Sequence, residues 1–175
     1  MDNNPKLHDL VDLCDHKSVF NEIKEIIQSV KSDFDFQIIE KSYYFIWELF
    51  HGQIPGYQAN KAKYHDLDHT NGVLLAQVQL MHGSFQLGKE YSNYDINLSV
   101  LAALFHDTGY IQTEDDTSGT GAKYTVGHEY RSMLIMRDYL NHLHCPAQMV
   151  EDCSCLIRCT NLEEPLEDIQ FRNRK

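Results

Sequence analysis

Apolar side chains recur at three- and four-residue steps along almost the whole chain, a spacing that predicts helices. In the stretch from about residue 19 to residue 30, for example, the apolar positions are Phe20, Ile23, Ile26, Ile27 and Val30. No stretch alternates apolar and polar residues for long enough to build a sheet. A chain of 175 residues, 42% of them hydrophobic, can bury one core. We therefore expect an all-α fold, a single-domain helical bundle over residues 1–175.

Turn and capping signals divide this pattern into six predicted helices. They run from about 19 to 30, 36 to 50, 66–68 to 82–84, 95 to 106–107, 126 to 143 and 146 to 160. Asp95 is expected to cap the fourth helix, because a carboxylate accepts hydrogen bonds from the first free amides. The polar stretch 112–123 offers nothing to bury and is predicted to be a mobile loop, with a lid over a site as the alternative.

Charge and hydropathy exclude several classes of function. The net charge of -11 argues against nucleic acid as a partner, because such binding depends on Lys and Arg at phosphates. No stretch approaches the ~20 apolar residues of a membrane span, and residues 1–6 lack the features of a signal peptide. We expect a cytoplasmic protein without a membrane partner. An acidic chain repels anionic substrates unless a bound cation inverts the local field, so the charge favours a metal site.

Most of the histidines and all of the cysteines carry no predicted role. The histidines expected to be surface or loop residues are His8, His16, His51, His82, His142 and His144. The five cysteines are odd in number and lack the paired spacing of a zinc knuckle. We expect them to be ordinary buried thiols rather than a disulfide framework.

Two blocks of histidine and aspartate carry the ligand chemistry. In the first block His65 and His69 stand four apart, with Asp66 and Asp68 between them. In the second, His106-Asp107 follows an apolar run. Imidazoles and carboxylates together suit a divalent metal that activates water. The alternative for His106-Asp107 is a helix-end cap beside an imidazole hydrogen-bonded in the core, and that for His65 and His69 is solvated polarity at a helix start. For Asp66 and Asp68, capping is the favoured interpretation.

Helical geometry sets conditions on how these blocks can meet. His65 and His69 share a face if the third helix starts at or before them. Side chains of adjacent residues diverge by about 100° on a regular helix, so His106 and Asp107 bind one ion only near a helix end. The polar loop is followed by His128-Glu129, which either returns another histidine to the same pocket or forms a plain helix start.

Taken in order, these residues resemble the histidine-aspartate (HD) superfamily of metal-dependent phosphohydrolases. The resemblance spans residues 64–160, and its elements are Tyr64-His65 with His69, the segment Ala102–Tyr110, the segment His128–Ser132, and Ile157 with Thr160. The first block is similar to the tyrosine-histidine-asparagine signature of the cyclic-nucleotide phosphodiesterase branch, with Asp66 in place of the asparagine.

The resemblance implies a metal centre with His69, His106 and Asp107 as ligands of a first ion and His128 as a further ligand. One or two divalent ions, from among Mn, Mg, Fe, Zn and Ni, would be the cofactor. It also implies catalytic roles at this centre for Asp107 and for His65, the latter as the general acid. Histidine suits that task because its ordinary pKa of about 6.5 lies near the working pH.

Two neighbouring side chains and the chain end complete the expected site. Glu129 is expected to orient a ligand, and Arg131 to bind substrate, because its planar guanidinium matches phosphate oxygens. The resemblance implies one more ligand, an aspartate opening a further helix beyond Thr160. We expect the sequence, which ends at Lys175, to be truncated before that helix; a site without a closing carboxylate is the alternative, and Asp168 lies too early to supply it.

Two functions follow from these expectations. The first is hydrolysis of a small phosphate-containing substrate, a nucleotide or cyclic nucleotide, by a metal-dependent phosphohydrolase. The second is a metal-binding or ligand-sensing module with an incomplete, inactive site. A general acid at position 65 favours the enzyme, because a structural metal needs no proton donor. The sequence leaves a homodimer open.

Overall fold

Six α-helices and no β-strand form the regular structure of residues 11–171, the part of the chain that the computed structural model describes. They are α1 (His16–Val30), α2 (Gln37–Phe50), α3 (Leu67–Gln86), α4 (Asn93–Phe105), α5 (His128–His142) and α6 (Ala147–Arg158). Short 3-10 helices occur at Thr108–Tyr110, Gly121–Tyr124 and Leu166–Asp168. The predicted all-α fold is confirmed.

Capping side chains set the starts of the helices. The Asp15 carboxylate accepts hydrogen bonds from the amides of Lys17 and Ser18 at the start of α1. Ser92, not Asp95, caps α4, so the predicted cap is wrong. The two side chains form a capping box, in which the Ser92 hydroxyl accepts from the Asp95 amide and the Asp95 carboxylate accepts from the Ser92 amide. The helix therefore begins two residues before Asp95.

Helix α4 lies at the centre of the bundle. It contacts α2, α3, α5 and α6, and every residue from 100 to 105 is buried. A helix that is apolar on all sides is stable only when other helices surround it. Because its last turn is buried, the next two residues, His106 and Asp107, also lie in the interior.

Side-chain hydrogen bonds join the start of α3 to α1 and α2. The Tyr43 hydroxyl, on α2, donates to the His16 carbonyl at 2.9 Å and contacts Asn71 Oδ1 at 3.0 Å. The Asn71 amide donates in turn to the Leu13 carbonyl at 2.9 Å. Tyr43 and Asn71 are buried, where such bonds satisfy polar groups that water cannot reach. These bonds fix the end of α3 that carries the first histidine block.

Most of the stretch 112–123 is exposed, but hydrogen bonds hold its turn together. Gln112 is only 4% exposed, and its amide donates to the carbonyls of Asp116 and Ser118 at 3.1 Å each. The Asp116 carboxylate contacts Lys123 and Tyr124. The prediction that this stretch offers nothing to bury is wrong for Gln112 and Gly121, which are buried, and the predicted mobility of the loop stays a prediction.

The remaining polar residues mostly lie where they were expected. His51, His142 and His144 are exposed, His16 and His82 are half-buried, and His8 lies outside the described residues. All five cysteines are free thiols. Cys153 alone among them is buried, so the prediction of buried thiols is wrong for the other four. Across residues 11–171, no helix combines the length and the apolar character that crossing a membrane requires.

Candidate metal centre

Asp107 lies at the point where α4 ends. The helix stops at Phe105, His106 keeps helical angles, and Asp107 leaves the helix with φ -108° and ψ 4°. A 3-10 turn over Thr108–Tyr110 follows. The expected release of helical geometry at this end is therefore present. This change in backbone conformation turns the adjacent side chains of His106 and Asp107 toward each other.

Four histidine rings surround the buried carboxylate of Asp107. Its Oδ2 lies 2.7 Å from His65 Nδ1, 3.3 Å from His69 Nε2 and 3.2 Å from His106 Nε2. Its Oδ1 lies 3.5 Å from His128 Nε2. The Asp107 side chain is only 4% exposed. The structure thus brings together the five histidine and aspartate residues predicted for this site.

Backbone carbonyls fix the tautomer of two of these rings. His106 Nδ1 lies 2.9 Å from the Ala103 carbonyl oxygen, and His128 Nδ1 lies 2.9 Å from that of Thr125. A carbonyl oxygen only accepts, so Nδ1 carries the hydrogen in each ring. In the neutral imidazole, Nε2 then directs a lone pair toward Asp107.

Lone pairs that face a carboxylate repel it unless a cation lies between them. That cation is either a proton or a metal ion. Atoms that bind one ion at ~2.1 Å lie about 3.0–3.4 Å apart at octahedral or tetrahedral angles. The distances of 3.2 and 3.3 Å from Asp107 to His106 and His69 fall in this range. The donor atoms of His65, His69 and Asp107 also lie within 4.8 Å of one another, so this group could hold a metal ion.

The pKa values at the centre follow from burial and from Asp107. Burial raises the pKa of the Asp107 carboxyl, but the hydrogen bonds and charges of His106 and His65 outweigh it and lower that pKa to about 2. Burial alone would lower the pKa of His106, yet its contact with Asp107 raises it overall. For His69 burial dominates and lowers the pKa. Without a metal, the favoured proton site is therefore between His106 and Asp107.

His65 reaches the centre from outside α3. The helix begins at Leu67, as predicted, so the condition for His65 and His69 to share a helix face is not met. The Asn60 amide donates to the His65 carbonyl at 2.7 Å, and the His65 ring stacks on Tyr110 at 4.0 Å between centroids. The orientation of the His65 ring is therefore set by a loop and not by a helix turn.

The aspartates of the first block contact other groups. Asp66 caps α3 by accepting from the His69 amide at 2.9 Å. Asp68 accepts from the Cys14 thiol at 3.1 Å, and this contact raises the pKa of that thiol to about 11. The favoured interpretation as a cap is confirmed for Asp66 and is wrong for Asp68, which lies inside the first turn of α3.

Arg131 supports the turn beside the centre. Its Nε donates to the Gly109 carbonyl at 2.7 Å, and a terminal nitrogen donates to the Ile111 carbonyl at 2.8 Å. Its guanidinium carbon lies 3.7 Å from the centroid of the Tyr124 ring. These contacts give Arg131 a structural role, while its predicted binding of phosphate stays a prediction.

The other two acidic candidates differ in location. Glu129 is buried, and its Oε2 lies 3.4 Å from His128 Nδ1, consistent with orienting that ring. Asp168 is exposed at the end of a 3-10 helix, and the metal-ligating group found among the described residues does not include it.

Two residues of the site were given no role from the sequence, although both lie in segments that carry the family resemblance. The Ser132 hydroxyl donates to the His106 carbonyl at 2.6 Å and accepts from the Gly109 amide at 2.8 Å. The Tyr110 ring stacks on both His65 and His128. A serine in a helix and an aromatic after a glycine are common, so only the three-dimensional contacts identify them.

Two cavities adjoin the ligand histidines. One, of about 200 Å³, is lined by His106, Thr160 and small side chains of α3 and α4. The other, of about 480 Å³, is mostly apolar and lies beside His69 and Tyr64. Both have room for part of a small molecule next to the centre.

Comparison of this chain with models of known protein families, with curated proteins and with solved structures found no match. The interpretation of the centre therefore depends on its own geometry and chemistry.

Proposed function

We propose that this protein is a metal-dependent phosphohydrolase of the HD type that hydrolyses a small phosphate ester, a nucleotide or cyclic nucleotide. One observation carries the proposal: a buried carboxylate, Asp107, faces ring nitrogens of four histidines at 2.7–3.5 Å. Buried ionised groups are costly unless they are paired or bind a metal. Four imidazoles around one carboxylate exceed what a structural hydrogen bond needs.

His69, His106 and Asp107 would hold the first ion, and His128 would bind from the side of Asp107 Oδ1. Nitrogen and oxygen ligands of this kind suit Mn, Fe, Zn or Ni better than a purely oxygen-liganded ion such as Ca. A divalent ion at this position would lower the pKa of water and polarise a phosphoryl oxygen. Carbonyl bonds from Ala103 and Thr125 would keep the ligand rings oriented.

His65 would donate the proton to the leaving oxygen. Its Nδ1 lies 2.7 Å from Asp107 Oδ2, a hydrogen-bond distance, and this bond leaves Nε2 for proton exchange. The ring is 31% exposed, more than the rings of His69, His106 and His128, so substrate can approach it. A carboxylate that orients an imidazole in this way is a recurring arrangement for general acids and bases.

The overall charge of the chain makes the ion necessary for substrate binding. At -11, the protein repels phosphate esters at a distance. A divalent cation and a protonated imidazole would reverse the field at the centre. Removal of the metal should therefore abolish binding of an anionic substrate as well as turnover.

Elemental analysis and a hydrolysis screen test the proposal. The purified chain is supplied with Mn²⁺ or Mg²⁺ and offered nucleotides, cyclic nucleotides and an aryl phosphate. His106→Ala should remove metal-dependent turnover, whereas His142→Ala, at an exposed histidine on α5, should not. Full activity in His106→Ala would overturn the proposal.

A leaving-group series tests the role of His65. An alkyl phosphate ester needs a proton on its leaving oxygen, whereas a nitrophenyl ester leaves without one. His65→Gln should therefore lower turnover of the alkyl ester by about 10²–10⁴-fold and affect the nitrophenyl ester much less. Equal losses for both esters would mean that His65 is a ligand or a binding group.

A second candidate function is a metal-dependent sensing module. It is favoured by the grouping of His65 with His69 and Asp107, whose donor atoms lie within 4.8 Å of one another and could hold a metal ion. If His65 binds the ion, no general acid remains at the centre. Bound metal without turnover, together with weaker metal binding in His65→Gln, would support this candidate.

A further inference from the structure

The ring of Tyr110 lies between two histidines of the centre. Its centroid is 4.0 Å from that of His65, with the two planes 11° apart. It is 4.4 Å from that of His128, with the planes 26° apart. The residue is only 3% exposed, so both of its faces are covered. The two histidines come from the loop before α3 and from the first turn of α5, and Tyr110 stacks on both rings.

Stacking of this kind restricts the rotation of an imidazole. A ring that lies flat against another ring can turn about its terminal side-chain bond only by driving an edge into its neighbour. The orientation of His65 decides whether Nδ1 or a carbon atom faces Asp107. The orientation of His128 decides whether Nε2 faces Asp107 Oδ1, at the observed 3.5 Å. Tyr110 therefore fixes the plane of both rings, while the bonds to Asp107 and to the Thr125 carbonyl select the edge of each ring that faces Asp107.

The backbone that carries Tyr110 is held on three sides. Arg131 donates to the carbonyls of Gly109 and Ile111, one residue before and one after the tyrosine. A Cβ at Gly109 would lie 1.9 Å from the His128 carbonyl oxygen, and a Cβ at Gly121 would lie 1.8 Å from that of Tyr110. Both glycines thus allow contacts that any other residue would prevent. These contacts fix the backbone position from which the Tyr110 ring extends.

We propose that Tyr110 is a positioning residue whose aromatic ring orients His65 and His128 toward Asp107. The inference rests on the proposed metal centre and extends it, because stacking adds to the polar contacts that His65 and His128 make with Asp107 and with the Thr125 carbonyl. We assign the effect to the ring and not to the hydroxyl, which bonds Thr125. Groups that orient metal ligands typically contribute 10- to 100-fold to metal affinity or activity.

Two variants separate the ring from the bulk of the side chain. Tyr110→Phe keeps both stacked faces and should retain the metal affinity and turnover of the parent. Tyr110→Leu keeps an apolar side chain but removes the ring, and should weaken Zn²⁺ or Mn²⁺ affinity about 10- to 100-fold. Turnover should fall in the same variant through kcat more than through KM. Thermal unfolding and circular dichroism establish that both variants are folded.

A spectrum of the metal-free protein gives a result that does not depend on activity. Long-range ¹H–¹⁵N correlation at about pH 8, where histidines are neutral, reports the tautomer of each ring. In the parent and in Tyr110→Phe, His65 should be a single Nδ1–H tautomer. In Tyr110→Leu it should become a mixture. If that variant does not fold, Arg131→Gln, which loosens the same turn, should give the same mixture.

The outcomes distinguish this inference from the proposed function. If the parent binds no metal and hydrolyses nothing, the proposed function fails, and the ring spectra still decide whether Tyr110 orients His65. If the parent binds metal, and Tyr110→Leu has the same metal affinity and the same His65 tautomer, the inference is overturned. The proposed metal centre is not affected by that result. Loss in Tyr110→Phe equal to that in Tyr110→Leu would also overturn it, because the hydroxyl would then be responsible.

Discussion

The Nε2 atom of His106 lies 3.2 Å from the Oδ2 atom of Asp107, although the two residues are adjacent in the chain. On a regular helix such side chains diverge by about 100°. They converge here because α4 ends at Phe105 and Asp107 leaves the helical conformation. The helix end, rather than the helix face, creates the centre.

Ser132→Ala should destabilise this helix end. The buried hydroxyl bonds both the His106 carbonyl and the Gly109 amide, and its removal leaves two buried groups without a partner. We expect a loss of about 1–3 kcal/mol in the free energy of unfolding and weaker metal binding. Urea denaturation and metal titration measure the two effects. The control is Ser154→Ala, because the buried Ser154 hydroxyl bonds only the Val150 carbonyl of its own helix. This control should change metal affinity little. Equal metal affinity in the two variants would count against the role of Ser132.

Gly109→Ala should disrupt the centre. The added methyl group would lie 1.9 Å from the His128 carbonyl oxygen, so α5 must move away and take His128 with it. We expect lost metal binding and a lower melting temperature. Gly83→Ala is the matched control, because nothing lies within 4 Å of a Cβ there, and alanine in a helix should stabilise the fold by roughly 0.5–1 kcal/mol. If Gly109→Ala binds metal with the affinity of the parent, the close packing of Gly109 against α5 is refuted.

Much of this fold is predictable from local patterns, and the centre only in part. The spacing of apolar residues predicts all six helices, since each helix must bury one face. His65 and Asp107 lie far apart in sequence, so residue spacing alone does not predict that they meet. The resemblance to a family suggested their common site. Tyr110 and Ser132 were missed because their roles arise from packing between distant segments. Ser92 was missed because a serine and an aspartate three residues apart both satisfy the rule for a cap.

Metal affinity should rise with pH through the neutral range. A histidine binds metal only when its ring nitrogen has lost its proton. The contact with Asp107 raises the pKa of His106 despite its burial, so protons compete there to a higher pH than at His69, whose pKa burial lowers. Below the raised pKa of His106, each protonated ligand should cost up to about tenfold in affinity per pH unit. Titration with Zn²⁺ or Mn²⁺ from about pH 6 to about pH 8 measures this slope; a flat profile would mean that these nitrogens do not bind the ion.

His144→Gly should stabilise the protein without affecting the centre. His144 follows α5 with a φ of 56°, the left-handed region that costs a side chain roughly 1–2 kcal/mol. Glycine adopts this conformation freely, so we expect a gain of about 1 kcal/mol in the free energy of unfolding. Denaturation with urea provides the test. A loss of stability would show that the exposed His144 side chain makes a favourable contact that outweighs the strain.

The most direct test of the account is metal binding by the parent and by Asp107→Asn, with Asp115→Asn as control. Asp115 is an exposed aspartate in the polar stretch. Calorimetric titration with Mn²⁺ or Zn²⁺ should give stoichiometric binding to the parent and to Asp115→Asn. In Asp107→Asn, with circular dichroism as the check of its fold, affinity should fall by at least tenfold, because the carboxylate charge that all four imidazoles face is gone. Equal affinity in the three proteins would contradict a metal centre at Asp107.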